Sequence, residues 1–163
     1  MRECLDIRIP GHPKMMKLVR STVGQACEMV GFNARDSHAV VLAVDEGCTN
    51  IIRHCYRDCS EDYIVIRIRL HKNRIEILLR DFGEQIDVDK LRNCVESRRR
   101  ELEEQGPVRP GGLGVMLIHS IMDRVQYKSN CKFGTVLKLV KYVSPKGGKK
   151  SCKSPQKKGT KAR

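Results

Sequence analysis

Residues 64–83 read IVIRIRLHKNRIEILLRDFG, and this stretch decides the fold. Ile64, Ile66, Ile68 and Leu70 alternate with Val65, Arg67 and Arg69; beyond His71-Lys72-Asn73, Ile75, Ile77 and Leu79 alternate with Glu76 and Arg80. Period-two alternation on both sides of a short polar turn predicts a β-hairpin with one buried face. Upstream, Leu5, Ile7 and Ile9 alternate with Asp6 and Arg8 up to Pro10-Gly11, a further short strand. Met16, Val19, Val23, Cys27 and Val30 then recur every three or four residues until Gly31, which predicts a helix. A second helix, entered near Asn33 or Asp36 and ending around Tyr56, carries Val40, Ala43, Val44, Cys48, Ile51 and Ile52. Downstream, residues 87–105 are charged and helix-prone with a thin apolar face, which suits a mobile lid spanning about 84–111. Residues 106–112 are a loop by composition, Leu113 to Met122 returns to helical spacing, and strands over Val125–Ser129 and Thr135–Val143 flank a turn at 130–134.

The order is βααββ, lid helix, αββ. Without regular βα alternation it argues for an α+β fold, a two-layer α/β sandwich with helices on one face of a mixed, mostly antiparallel sheet. The chain has 163 residues and a formal net charge of +13, with 40% apolar residues. That length suits one domain, residues 1–143, and no apolar run approaches the roughly 18 residues of a membrane span. The charge is uneven. Residues 1–143 carry 24 basic and all 19 acidic side chains, a net +5, while residues 144–163 carry eight basic side chains and no acidic one. A tail of Lys, Gly, Ser and Pro cannot offset its ordering entropy and is expected to be disordered. Any nucleic-acid binding through it should be non-specific, because none of the seven aromatic residues lies there. The charged Met1–Asp6 start does not resemble a secretory signal, so reduced thiols and a cytoplasmic location are expected. Eight cysteines form no C-x-x-C pair; Cys55 and Cys59 beside His54 are the nearest approach to a ligand cluster, and Cys27 and Cys48 fall at apolar helix positions.

Three segments could carry chemistry. Glu46 and Asn50 stand four apart and share a helix face, with His54 one turn on. A carboxylate one turn from a carboxamide can hold a hydroxyl with one group and hydrated Mg²⁺ with the other, and the same pair also suits a solvated surface. Arg80-Asp81-Phe82-Gly83 closes a strand, where the missing Cβ of Gly83 permits close backbone approach, as in an ordinary turn. Pro110-Gly111-Gly112-Leu113-Gly114 opens a helix whose first N–H groups could meet an anion.

In this order, Glu46-x-x-x-Asn50, Asp81-x-Gly83, Gly112-x-Gly114 and Gly134-Thr135 resemble the N, G1 and G2 boxes and terminal Gly-Thr of the GHKL ATPases. Within them the chain is similar, over about Leu5 to Val143, to the anti-sigma factor serine/threonine kinases. The resemblance implies a Bergerat-type ATP-binding fold, ATP and Mg²⁺ as ligands, a sigma factor as partner, an anti-anti-sigma (STAS-type) protein as substrate, and a homodimer. It implies Glu46 as general base, Asn50 as Mg²⁺ ligand, and Asp81 on the adenine amino group with Gly83 and Thr135 beside it. Gly112, Leu113 and Gly114 would meet the phosphates, Arg109 is the nearest candidate for a lid arginine, and His54 is a structural histidine. Gln85 stands where the superfamily has a second glycine. A kinase and a non-catalytic, ATP-gated binding module both fit these residues.

Overall fold

The structure is a computed structural model and describes residues 3–55, 63–83, 87–89, 93, 95–97, 100, 113–130 and 134–144, with the side chains at 54, 55 and 113 excepted. The elements are β1 (Glu3–Pro10), a 3-10 turn (Pro13–Met15), α1 (Met16–Val30), α2 (Ala34–Cys55), β2 (Tyr63–His71), β3 (Arg74–Asp81), α3 (Leu113–Ile121), β4 (Arg124–Asn130) and β5 (Gly134–Tyr142). The sheet runs β1-β2-β3-β5-β4 and every ladder is antiparallel. The expected hairpin is its centre: Ile66 faces Leu79 and Ile68 faces Ile77 across β2 and β3. Within the expected lid, residues 88–89 and 95–97 are helical. The loop at 106–112, Tyr56, Cys59 and the tail from 145 onward lie outside the described residues.

Local chemistry sets the helix ends. α1 stops at Gly31, whose φ of 93° suits a residue without Cβ, and Phe32 N–H donates back to Cys27 O at 3.1 Å. Two residues later Asn33 opens α2: its Oδ1 accepts from Asp36 N at 2.8 Å and its Nδ2 donates to Asp36 Oδ2 at 2.9 Å. Two helices are thereby joined by a three-residue connection, which forces them to lie antiparallel as neighbours.

The core forms where these helices cover one sheet face. Val19, Val23, Val40, Ala43 and Val44 pack with Ile64, Ile66, Ile68, Ile75, Ile77 and Leu79, all at most 1% exposed. Each such Val, Ile or Leu side chain stabilises the fold by roughly 1.5–3 kcal/mol relative to exposure. Cys27 and Cys48 are fully buried here as free thiols, and burial pushes each pKa up to about 12. α2 comes nearest the sheet at Gly47, where an added Cβ would lie 2.6 Å from Leu79 Cδ1 and 3.3 Å from Leu137 Cδ2.

On the other face Glu76 is buried among basic side chains: Arg74 Nε at 3.1 Å, Lys138 Nζ at 3.3 Å and Arg69 Nη1 at 3.9 Å, with the His71 ring at 3.3 Å. Burial alone would raise the carboxyl pKa, but the hydrogen bonds from Arg74 and Lys138 and the nearby charges outweigh it and hold the group below its ordinary 4.5. One side chain thus ties β2, β3 and β5.

Two outcomes follow. Gly47→Val should lower stability by about 1–3 kcal/mol through overpacking, whereas Gly24→Ala, whose Cβ meets Val41 Cγ2 at an ordinary 3.8 Å, should raise it by up to about 1 kcal/mol; denaturant midpoints check both. A carboxyl held low in the fold contributes stability that is complete above pH 4.5 and is lost as the pH falls through the folded value. Wild type should therefore lose more stability than Glu76→Gln between pH 6 and pH 3 in urea titrations, and parallel losses would refute the assignment.

Candidate active site

Two groups of side chains lie where α2 crosses the ends of the central strands. The first belongs to the helices. Glu46 and Asn50 project from one face of α2, both half-buried, one turn apart. The first turn of α3 comes against them: a Cβ built on Gly114 would fall onto Glu46 Oε2, with Asn50 Nδ2 3.5 Å away. Only a glycine lets the helix start approach these side chains so closely. The free N–H groups and positive dipole end of α3 therefore adjoin the Glu46 carboxylate and the Asn50 carboxamide, 64 or more residues distant in sequence.

α2 is held in place from the far side. Arg20 on α1 grips Asp45 with Nε to Oδ1 at 2.8 Å and Nη2 to Oδ2 at 3.3 Å. The pair is partly solvated and so adds little to stability, but it ties α2 to α1 at the residue before Glu46.

The second group belongs to the sheet. Asp81 ends β3 opposite Thr135 on β5, and the two are 1% and 2% exposed. Their side chains share the helix-facing side with Leu79 and Leu137, the pair against which Gly47 packs. Two residues of strand cover about 7 Å, so Asp81 and Thr135 lie one step beyond the point where α2 touches the sheet. Asp81 Oδ1 accepts a hydrogen bond from Gly83 N at 3.2 Å, and Thr135 Oγ1 lies 3.0 Å from Ser129 Oγ. Gly134, at φ 73°, brings its Cα against the Asp81 carbonyl, an approach that a Cβ would block.

Of the residues picked out in the sequence, Glu46, Asn50 and Gly114 converge, and Asp81, Gly83, Gly134 and Thr135 converge beside them. Leu113 is the first residue of α3. Arg109, Gly112 and Gln85 lie outside the described residues, and so does the side chain of His54. Three contributors were not anticipated: Gly47, Ser129 and the Arg20–Asp45 pair. Gly47 had a signal, since a mid-helix glycine costs about 1 kcal/mol against alanine and so calls for a packing reason.

The chemistry on offer is specific. A carboxylate and a carboxamide stand at a helix N-terminus that can take an anion, near a buried carboxylate that can accept hydrogen bonds from a flat polar group. Among the described residues no three His, Cys, Asp or Glu side chains group as a metal cage. One carboxamide beside a glycine cradle suits Mg²⁺, which keeps waters and phosphate oxygens as its other ligands.

Comparison with known proteins agrees with this arrangement. Residues 9–141 match the family model described as histidine kinase-like ATPase domain. Relatives named serine-protein kinase RsbW are 27% identical over 149 residues in Bacillus velezensis, covering 86% of each chain, and 24% identical over 149 residues in Bacillus subtilis, again covering 86% of each. The one in Oceanobacillus iheyensis is 29% identical over 140 residues, covering 86% of this chain and 87% of the relative. Among solved structures, the RsbU and RsbW domains of a Mycobacterium tuberculosis protein share the fold with a TM-score of 0.59 at 16% identity, over 86% of this chain and 32% of that one. With the model spanning most of its length and the boxes meeting in space, the chain belongs to the histidine kinase-like ATPase domain family.

Proposed function

We propose that the chain is an ATP-dependent serine/threonine protein kinase of the anti-sigma class, acting in the cytoplasm, which binds a sigma factor and phosphorylates an anti-anti-sigma (STAS-type) protein. One observation carries the reading: Gly114 seats the start of α3 on Glu46 and Asn50, so a base, a magnesium-compatible carboxamide and an anion site occupy one place. The relatives named serine-protein kinases support the choice of reaction.

In this reading Asp81 accepts a hydrogen bond from the adenine amino group, with Thr135 and Gly83 shaping the pocket around it. The N–H groups of Leu113 and Gly114, with Gly112 ahead of them, receive the phosphates, and Arg109 serves as the lid arginine. Asn50 would hold Mg²⁺, which when bound neutralises phosphate charge and draws the phosphates into line. Glu46 takes the proton from the substrate serine hydroxyl as its oxygen bonds to the γ-phosphorus; the bond from that phosphorus to the bridging oxygen breaks and ADP leaves. Positioning and charge neutralisation contribute most of the rate, and the residues present supply both.

Transfer of labelled γ-phosphate to an anti-anti-sigma protein tests this. Glu46→Ala should lower the transfer rate by about 100-fold or more while ATP affinity changes little. Unchanged transfer in that variant would overturn the role of Glu46. ATP binding by the wild type without any transfer would make the chain a nucleotide-gated binding module instead.

A further inference from the structure

The described helices cover one face of the sheet, so the side chains of alternate parity on all five strands form a second face that no described helix backs. Register aligns them into rows across the sheet. One row runs Arg8 on β1, Val65 on β2, Arg80 on β3, Val136 on β5 and Lys128 on β4. Cations thus alternate with valines, and with strands about 4.8 Å apart they recur roughly every 10 Å with no carboxylate among them. Two rows along, Arg124 stands on the edge strand β4 beside Val140. Arg8, Arg124 and Lys128 are exposed, and none has a carboxylate within ion-pair distance among the described residues.

Among the described strand residues only two acidic side chains share this face, and both are already neutralised. Asp6 is paired with Arg67 at 2.7 Å, and Glu76 sits within its own ring of cations. Among the described residues the surplus on this face is therefore positive.

One end of the row carries aromatic rings. Tyr63 and Phe82 pack with centroids 5.0 Å apart, Arg8 lies over Tyr63 at 3.3 Å, and Arg80 lies over Phe82 at 4.6 Å. Phe82 is 42% exposed, with the Arg80 guanidinium over its ring. With the Tyr63 ring and the two guanidinium groups beside it, Phe82 forms a planar, cationic cluster suited to stacking. Alternating cations suit phosphates along a chain, and aromatic and guanidinium planes stack bases. An acidic protein segment would satisfy the cations but would make no use of the exposed stacking planes.

We propose that this sheet face, which no described helix backs, binds a single-stranded polynucleotide, with Arg8, Arg124 and Lys128 on its phosphates and Phe82 stacked on a base. This site is separate from the nucleotide pocket, whose side chains point to the helix side of the sheet. It also places on the folded domain a binding role that charge counting along the sequence gives to the tail.

Fluorescence anisotropy of the full chain against labelled 20-nucleotide single-stranded RNA and DNA, without ATP, tests it. Affinity should fall with salt at a log–log slope of about −2 for three phosphate contacts. The double variant Arg124→Glu/Lys128→Glu, on exposed edge-strand positions, should weaken binding at least about tenfold and make the slope shallower by about 1.4. Phe82→Ala should weaken it by about fivefold or more with the slope unchanged, the mark of stacking rather than charge. The tail variant Lys157→Glu/Lys158→Glu should have the smaller effect, and thermal melting should show all variants folded. Loss of binding confined to the tail variant would overturn the proposal. So would tighter binding to a 20-residue Glu-rich peptide than to either oligonucleotide, or oligonucleotide binding unaffected by the sheet variants. Sedimentation showing that those variants abolish self-association while leaving oligonucleotide affinity intact would assign the face to a second copy of the chain.

Discussion

At Gly47 the backbone of α2 reaches the side chains of Leu79 and Leu137 with no side chain of its own between. That approach fixes the height of the helix over the sheet, and the Arg20–Asp45 pair ties it to α1. The functional geometry is a consequence. Glu46 and Asn50 flank Gly47 in sequence, so wherever Gly47 settles, the carboxylate and the carboxamide are carried to the ends of β3 and β5. A larger residue at 47 would lift the helix and with it both side chains away from Asp81 and Thr135.

Glycines act as the spacers throughout this region, each for a different partner. Gly114 lets a helix start meet two polar side chains, and Gly134 lets a strand start meet the Asp81 backbone in a left-handed conformation. The result brings polar and anion-seeking groups together on the helix side of the sheet. Basic side chains collect on the opposite side. The two faces of one sheet thus differ in chemistry because strand residues alternate in direction.

Much of the fold was legible in the sequence because one face of each strand is apolar. The hairpin, the Gly31 stop, the entry of α2 near Asn33 or Asp36 and the order of elements along the chain follow from period and turn chemistry. The boundaries shift by a residue or so: β4 runs Arg124–Asn130 and α3 ends at Ile121. The site was legible as separate boxes, and their meeting was not, because the contact of Gly114 with Glu46 joins segments that only the folded helices bring together. Ser129 could not be singled out, since its hydroxyl matters only through its register opposite Thr135. The basic face escaped for a related reason. Arg8, Arg80 and Lys128 look dilute along the chain and become a row only through strand pairing.

The central claim is that the two converging groups hold opposite ends of one Mg-ATP molecule. Calorimetric titration of ATP into wild type, Asp81→Asn and Asn50→Ala, each with and without Mg²⁺, tests it most directly. The account predicts that Asp81→Asn loses binding under both conditions, whereas Asn50→Ala keeps the magnesium-free affinity and loses only the increment that Mg²⁺ adds. Full affinity in Asp81→Asn, or an undiminished Mg²⁺ increment in Asn50→Ala, would contradict it.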